Sequence, residues 1–366
     1  MNKMILANLV HRPVRSLISV FAIAIEVTLI LVIVGLSLGM LNDNKERTRA
    51  VGADAMVRPP GSSMIQSLGG APVSIKYADV LRKLPHVKVV SPAVLQVSNN
   101  AIETIWGIDL ESFNALGNPF RYLEGGPFQG PNDVIVDDFF ANSKHLHAGD
   151  SVEIFPTHSF RISGVVEHGK GGRKFLLIGA LQELIGAQGK ATIFYVKLDD
   201  PKNFEAFRDE VRGAGMDKFG VTSMDEWLSI MTPERLPGFA IFINTVISVS
   251  VCIGFIVIFQ AMYTAVMERT REIGILKSLG ASKFYIVNTI LRETALLAVL
   301  GILAGVAISF LTQQSLVRAF PTLRPEFNSH WVVQASIIAF IGALLGALYP
   351  AYKASQKDPI DALAYE

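Results

Sequence analysis

Residues 238–267 read GFAIFINTVISVSVCIGFIVIFQAMYTAVM, without a single Asp, Glu, Lys or Arg. A run this long exceeds the roughly 20 apolar residues needed to cross a bilayer core, and soluble core helices seldom run so far without a charge on one edge. Three more stretches meet the same rule: Leu17–Leu41, which contains only Glu26, then Thr294–Val317 and Trp331–Tyr352, which contain no charge. The apolar part of the first is too long for a cleavable leader, so it reads as an anchor. Half of the 366 residues are hydrophobic and 18% are charged, a balance that fits spans combined with a water-exposed domain.

Orientation follows from Lys and Arg in the short flanks. Lys3, Arg12 and Arg15 precede the first span; Arg269, Arg271, Lys277, Lys283 and Arg292 lie between the second and third; Lys353 and Lys357 follow the fourth. The short loop on the opposite side has only Arg318 and Arg324. Both termini are therefore expected in the cytoplasm. The expected order is an interfacial helix at 1–16, spans at 17–41, 238–267, 294–317 and 331–352, an extracytoplasmic domain at 42–237, a cytoplasmic segment at 268–293, an outer loop at 318–330 and a tail at 353–366. In the first of these, Ile5, Leu6, Leu9 and Val10 share one arc of a helical wheel before Pro13 redirects the chain.

The inserted segment reads as a mixed α/β domain, long enough for a core of its own and expected in two lobes. Residues 74–84 look helical; 104–108, 134–136, 152–155, 161–166 and 191–198 alternate or cluster β-branched and aromatic residues as strands do. The only cysteine, Cys252, lies in a span, so no disulfide supports this domain. The formal net charge of +1 gives no basic surplus for nucleic acid.

Enzyme chemistry finds little support. Residues 164–171, GVVEHGKG, have the spacing of a phosphate loop but glycine in place of the Mg²⁺-binding Ser or Thr, and read as a polar turn after a strand. His145 and His147 lack a third ligand at recognisable spacing, and Asp137 and Asp138 read as a surface turn. Neither a catalytic nor a metal site is expected, and any ATP hydrolysis falls to another polypeptide. Glu26 stands apart: about 14 Å deep at about 1.5 Å per residue, it is expected to face protein and to find a polar partner such as Asn244, Gln260 or Gln334.

The richest cytoplasmic stretch is ERTREIGILKSLGAS, residues 268–282. Ile273, Ile275, Leu276 and Leu279 share one arc of a helix with Glu268, Arg269 and Glu272, and Gly280 supplies a stop. Charges beside apolar residues suit docking to a protein better than burial in lipid.

Residues Arg269 to Ala281 resemble the Arg-x-Arg-Glu-Ile-Gly-Ile-Leu-(Lys/Arg)-x-Leu-Gly-Ala pattern of the MacB- and FtsX-like permease family of ABC transporters. Residues 7–16, ANLVHRPVRS, are similar to the family's approach to its first helix, and PAYKAS at 350–355 with DPIDAL at 358–363 to its ending. Gly107-Ile108-Asp109 and residues 148–152 are fainter echoes within the inserted domain. The resemblance covers nearly the whole chain. It implies a multi-pass protein of the bacterial inner membrane, paired with a second permease copy, identical or related, and carrying a cytoplasmic ATPase that holds ATP and Mg²⁺. A periplasmic adaptor and membrane lipids complete the implied partners. The same resemblance makes Glu268, Arg269, Arg271, Glu272, Ile273, Leu276, Lys277, Leu279, Gly280 and Ala281 the ATPase-coupling residues. The implied work is export of a drug, peptide or lipid, or extraction of a lipoprotein. The alternative is transmission of ATPase motion to a cell-wall hydrolase, a role associated with a much smaller outer domain. Glu26 departs from the family, whose first helix tends to have a small residue there.

Overall fold

The computed structural model describes residues 13–62, 71–97, 104–155, 158–236 and 238–357. The interfacial helix expected at 1–16 lies outside them as far as residue 12, as does the tail from residue 358. The chain divides into a helical unit (Met1–Gly39, Pro237–Arg318 and Pro325–Glu366) and an inserted unit (Met40–Leu236 with Ala319–Arg324).

Among the described residues, four helices are long and apolar enough to cross a membrane. Helix α1 spans Pro13–Arg49; the other three, Phe239–Glu268, Lys283–Ala319 and Ser329–Gln356, are numbered below in chain order as α8, α10 and α11. Three of them outrun the apolar stretches that reveal them. Hydropathy ends where charge begins, but a helix does not: beyond Leu41, α1 continues through NDNKERTR and holds an Asp43–Arg47 ion pair one turn apart at 3.1 Å.

Within the helical unit, contact depends on small residues. A Cβ added at Gly301 of α10 meets Ile23 of α1 at 2.7 Å, and one at Gly305 meets the Ala24 carbonyl at 2.7 Å. Thr28 also donates to the Gly305 carbonyl at 3.1 Å, a bond between helices. On α11, Ala335, Ala339, Ala343 and Ala347 are fully buried at four-residue intervals, and a Cβ at Gly346 meets the Phe255 carbonyl of α8 at 3.0 Å. Lipid offers no hydrophobic drive between helices, so close backbone approach at small residues supplies the packing.

The inserted unit contains strands β1 (Ala55–Arg58), β2 (Val73–Ser74), β3 (Val87–Val97), β4 (Thr104–Ile108), β5 (Tyr122–Gly125) and β6 (Asp133–Asp137). They are followed by β7 (Ser151–Phe155), β8 (His158–Val166), β9 (Lys174–Leu177), β10 (Lys190–Ala191), β11 (Ile193–Leu198) and β12 (Gly220–Ser223). Its helices are α2 (Tyr77–Leu81), α3 (Leu110–Ala115), α4 (Asp138–Lys144), α5 (Ile178–Leu184), α6 (Phe204–Val211) and α7 (Met224–Ile230). The helix expected at 74–84 is thus the shorter α2. One sheet runs in the order β12-β1-β11-β3-β4-β9-β6-β8-β5, with β7 paired to β8; β4–β9 and β6–β8 are parallel and the other pairs antiparallel.

Alternation along the strands sorts the core by face. Met56, Leu95, Trp106, Ile135, Phe175 and Tyr195 join one continuous cluster, in which Trp106 and Tyr195 stack at 5.7 Å. Their strand neighbours point the other way and join two separate clusters, Ala55, Val57 and Phe194 with Phe207 of α6 in one, and Ile105, Val134 and Val136 with Phe160 of β8 in the other. The expected two lobes therefore exist on one face only, because a single sheet carries both.

Asp137 corrects the surface turn expected at 137–138. It is 1% exposed, accepts the Phe140 N–H at 2.7 Å as the N-cap of α4, and pairs with Arg173 at 3.2 Å. Burial pushes its carboxyl up to about 6, with Arg173, the Phe140 N–H and Arg47 pulling the other way.

Candidate functional site

The stretch between the second and third spans folds as helix α8 ending at Glu268, a break at Arg269, helix α9 (Thr270–Ser278) and, after a turn, the start of α10 at Lys283. Gly280 makes the turn with φ +93°, a conformation that glycine takes without a Cβ penalty. The Ala281 N–H closes it by donating to the Leu276 carbonyl at 3.0 Å.

The sides of α9 differ. Thr270, Ile273 and Gly274 are buried, and Ile273 packs with Val266, Ile286 and Ala354. Arg269 forms a buried ion pair with Glu293 of α10 at 3.0 Å, and Lys277 donates to the carbonyls of Ser355, at 3.0 Å, and Lys357. Leu276 is half-buried and lines, with Ile273, Ile275, Tyr285 and Ile290, a cavity of about 310 Å³ beside that ion pair. Glu268, Arg271, Glu272, Leu279 and Gly280 are exposed. So are Ile275 at 43%, Leu279 at 79% and Phe284 at 77%, three large apolar side chains in a turn region rich in charge. Phe284 was not legible as part of the site, because it follows the recognisable motif; its signal is an aromatic residue immediately after the Gly280 turn.

The Arg269 and Lys277 contacts hold α9 to α10 and α11, which brings the segment, the end of α8 and the end of α11 to one end of the helical unit. Pro13 and Val14 of α1 line a groove there with Thr264 and Glu268.

Glu26 lies 4% exposed with its Oε1 lacking any hydrogen-bond partner, so the expected bond to Asn244, Gln260 or Gln334 is not formed. Its carboxyl occupies a niche left by glycine on a facing helix: a Cβ at Gly254 of α8 would lie 1.8 Å from Oε2, and one at Gly342 of α11 would lie 4.0 Å from Oε1. The space that the Glu26 carboxyl fills is thus left by small residues on the helices opposite.

The loop at 164–171 has its lysine committed elsewhere. Lys170 donates to the carbonyls of Phe113 and Asn118 and sits over the Phe113 and Phe120 rings, and burial pushes its ammonium down to about 8. His147 meets Glu124 at 3.1 Å, and no group of three metal-ligating side chains gathers among the described residues.

Residues 16–214, more than half of the chain, match the MacB-like periplasmic core domain, and residues 244–359 match the FtsX-like permease C-terminal domain. The chain belongs to the MacB- and FtsX-like family of ABC transporter permeases. The permease is 24% identical to the uncharacterized ABC transporter permease YvrN of Bacillus subtilis (strain 168), over 98% of each chain. It is 27% identical to the macrolide export ATP-binding/permease protein MacB of Aggregatibacter actinomycetemcomitans, over 100% of this permease and 61% of that protein. The solved periplasmic region of MacB from Actinobacillus actinomycetemcomitans aligns with 49% of the permease and 93% of its own chain, at 18% identity and a TM-score of 0.38. Membership makes the permease a multi-pass membrane protein that works with an ABC ATPase, and it identifies the mixed α/β domain between the first two spanning helices as the family's core domain.

Proposed function

We propose that the permease sits in the bacterial inner membrane with both termini in the cytoplasm and couples ATP hydrolysis in a separate ATPase to movement of its outer domain. ATP and Mg²⁺ bind in that partner. Two permease copies, identical or related, complete the assembly with two ATPase copies, and a periplasmic adaptor serves in an envelope with two membranes. The movement drives export of an amphiphilic drug, peptide or lipid, or extraction of a lipoprotein. An outer domain built on a ten-stranded sheet favours this over activation of a cell-wall hydrolase.

The observation that carries the proposal is the division of labour around α9. Arg269, Ile273 and Lys277 tie the helix to its own unit, while Arg271, Glu272, Ile275, Leu279 and Phe284 are exposed beside it. An apolar centre with charged edges suits a protein partner. Glu268, Leu276, Gly280 and Ala281 complete the coupling surface as rim, half-buried support and turn.

Reconstitution in vesicles with its partner ABC ATPase tests the reading. The ATPase is expected to turn over ATP faster with the permease than without it, and the permease alone is expected to be inactive. Turnover by the permease alone, or no effect on the ATPase, would overturn it.

A further inference from the structure

One guanidinium in the inserted unit joins four segments that are distant in sequence. Arg173, with 9% of its side chain exposed, donates from Nη1 to Asp137 Oδ2 at 3.2 Å. Its Nη2 donates to Asp43 Oδ2 at 2.9 Å and to the Thr322 carbonyl at 3.1 Å. Asp43 belongs to the outer turns of α1, Asp137 caps α4 at the end of β6, and Thr322 lies in the segment that follows α10 directly.

A second layer surrounds the first. Arg47, one turn beyond Asp43, approaches it at 3.1 Å and exchanges two bonds with Gly171: its Nη1 donates to the Gly171 carbonyl at 3.2 Å, and the Gly171 N–H donates to the Arg47 carbonyl at 2.9 Å. Arg324 lies over the Phe139 ring at 4.1 Å, and Arg173 reaches the same ring at 5.6 Å. Asp43 and Asp137 balance Arg47 and Arg173 in charge. Such a site is stiff, because a buried ion whose partner is removed stays uncompensated, and because a planar fork fixes the direction of each bond.

We propose that Arg173 is a positioning residue that locks the outer end of α1 and the segment after α10 to the β6–α4 corner, so that displacement of either helix moves the inserted domain as one body. This rests on the ATPase-coupled reading above. A domain core requires only the Arg173–Asp137 pair; the bonds to Asp43 and Thr322 commit the remaining donors to the chain segments that lead to α1 and α10. A lysine keeps the charge but not the fork, so it holds one or two of the three contacts.

The test measures distances by electron–electron resonance in the ATPase-bound permease, diluted with unlabelled chain. Spin labels are placed on Cys252→Ser at Glu46 of α1 or Phe320, each paired with Val80 of α2. The expected distances are narrow and unmoved by ATP in the parent. Arg173→Ala is expected to broaden both and make both ATP-dependent, with Arg173→Lys intermediate. Asp43→Asn, which spares the Asp137 pair and guards against misfolding of Arg173→Ala, is expected to broaden 46–80 and leave 320–80 narrow. Parent-like distances in Arg173→Ala without nucleotide would overturn the lock alone. Broadening that never responds to ATP would overturn transmission through the lock and count against the ATPase-coupled reading as well.

Discussion

Glu272→Lys is expected to weaken binding of the ATPase by at least about 30-fold, since truncating or reversing one partner of a buried charged contact costs about 2 to 5 kcal/mol. Glu272 is exposed on α9 and makes none of that helix's ties to α10 and α11, so folding and membrane insertion are expected to be unchanged. Arg269→Ala should behave differently although it lies in the same motif. It removes the cation that Glu293, 4% exposed, meets at 3.0 Å, and breaking a buried pair costs about 3 to 5 kcal/mol of folding stability. Titration of purified ATPase against each variant, beside thermal melts of the variant alone, separates the two. Parent-like affinity in Glu272→Lys would remove the exposed side of α9 from the interface.

Gly254→Val is the second substitution with a large expected effect. The new side chain claims the niche of the Glu26 carboxyl, which lies 1.8 Å from any Cβ built there. Because the carboxyl is the free end of a flexible side chain, it can swing away, and the cost is that of placing a polar group elsewhere in the bilayer rather than of a fixed clash. The folded fraction in detergent is expected to fall, and Glu26→Ala in the same chain is expected to restore most of it. Contacting residues typically couple by about 0.5 to 3 kcal/mol, and this pair belongs at the upper end. Additive effects of the two substitutions would show that Glu26 does not occupy that niche. Because Glu26 Oε1 has no partner, Glu26→Leu leaves no hydrogen-bonding group orphaned.

The spanning helices were legible because little besides a bilayer calls for a charge-free run of that length. Their ends were not, since the charged turns from Asn42 to Arg49 continue the helix after hydropathy has ceased to report it. Strands β4, β7 and β8 announced themselves by local pattern, whereas β3 was hidden by Pro92. That proline lies beyond the reach of β4, beside β11 alone, where the missing N–H is tolerated as at an edge. In the segment between α8 and α10 the motif identified the residues, but not which way each faces. The partners that turn Arg269 and Lys277 inward, Glu293 and the carbonyls near Ser355, are far along the chain. The same distance concealed Asp137, whose burial depends on Arg173, and Glu26, whose niche is made by Gly254 and Gly342.

The docking of a partner ATPase on the exposed side of α9 is tested most directly by photo-crosslinking in native membranes. A photoreactive residue at Leu279 is expected to form an adduct whose peptides belong to an ABC ATPase, while one at buried Ile273, or at exposed Lys144 in the inserted domain, forms none. An ATPase adduct from Lys144, or its absence at Leu279 while the ATPase is present, would contradict the proposed coupling.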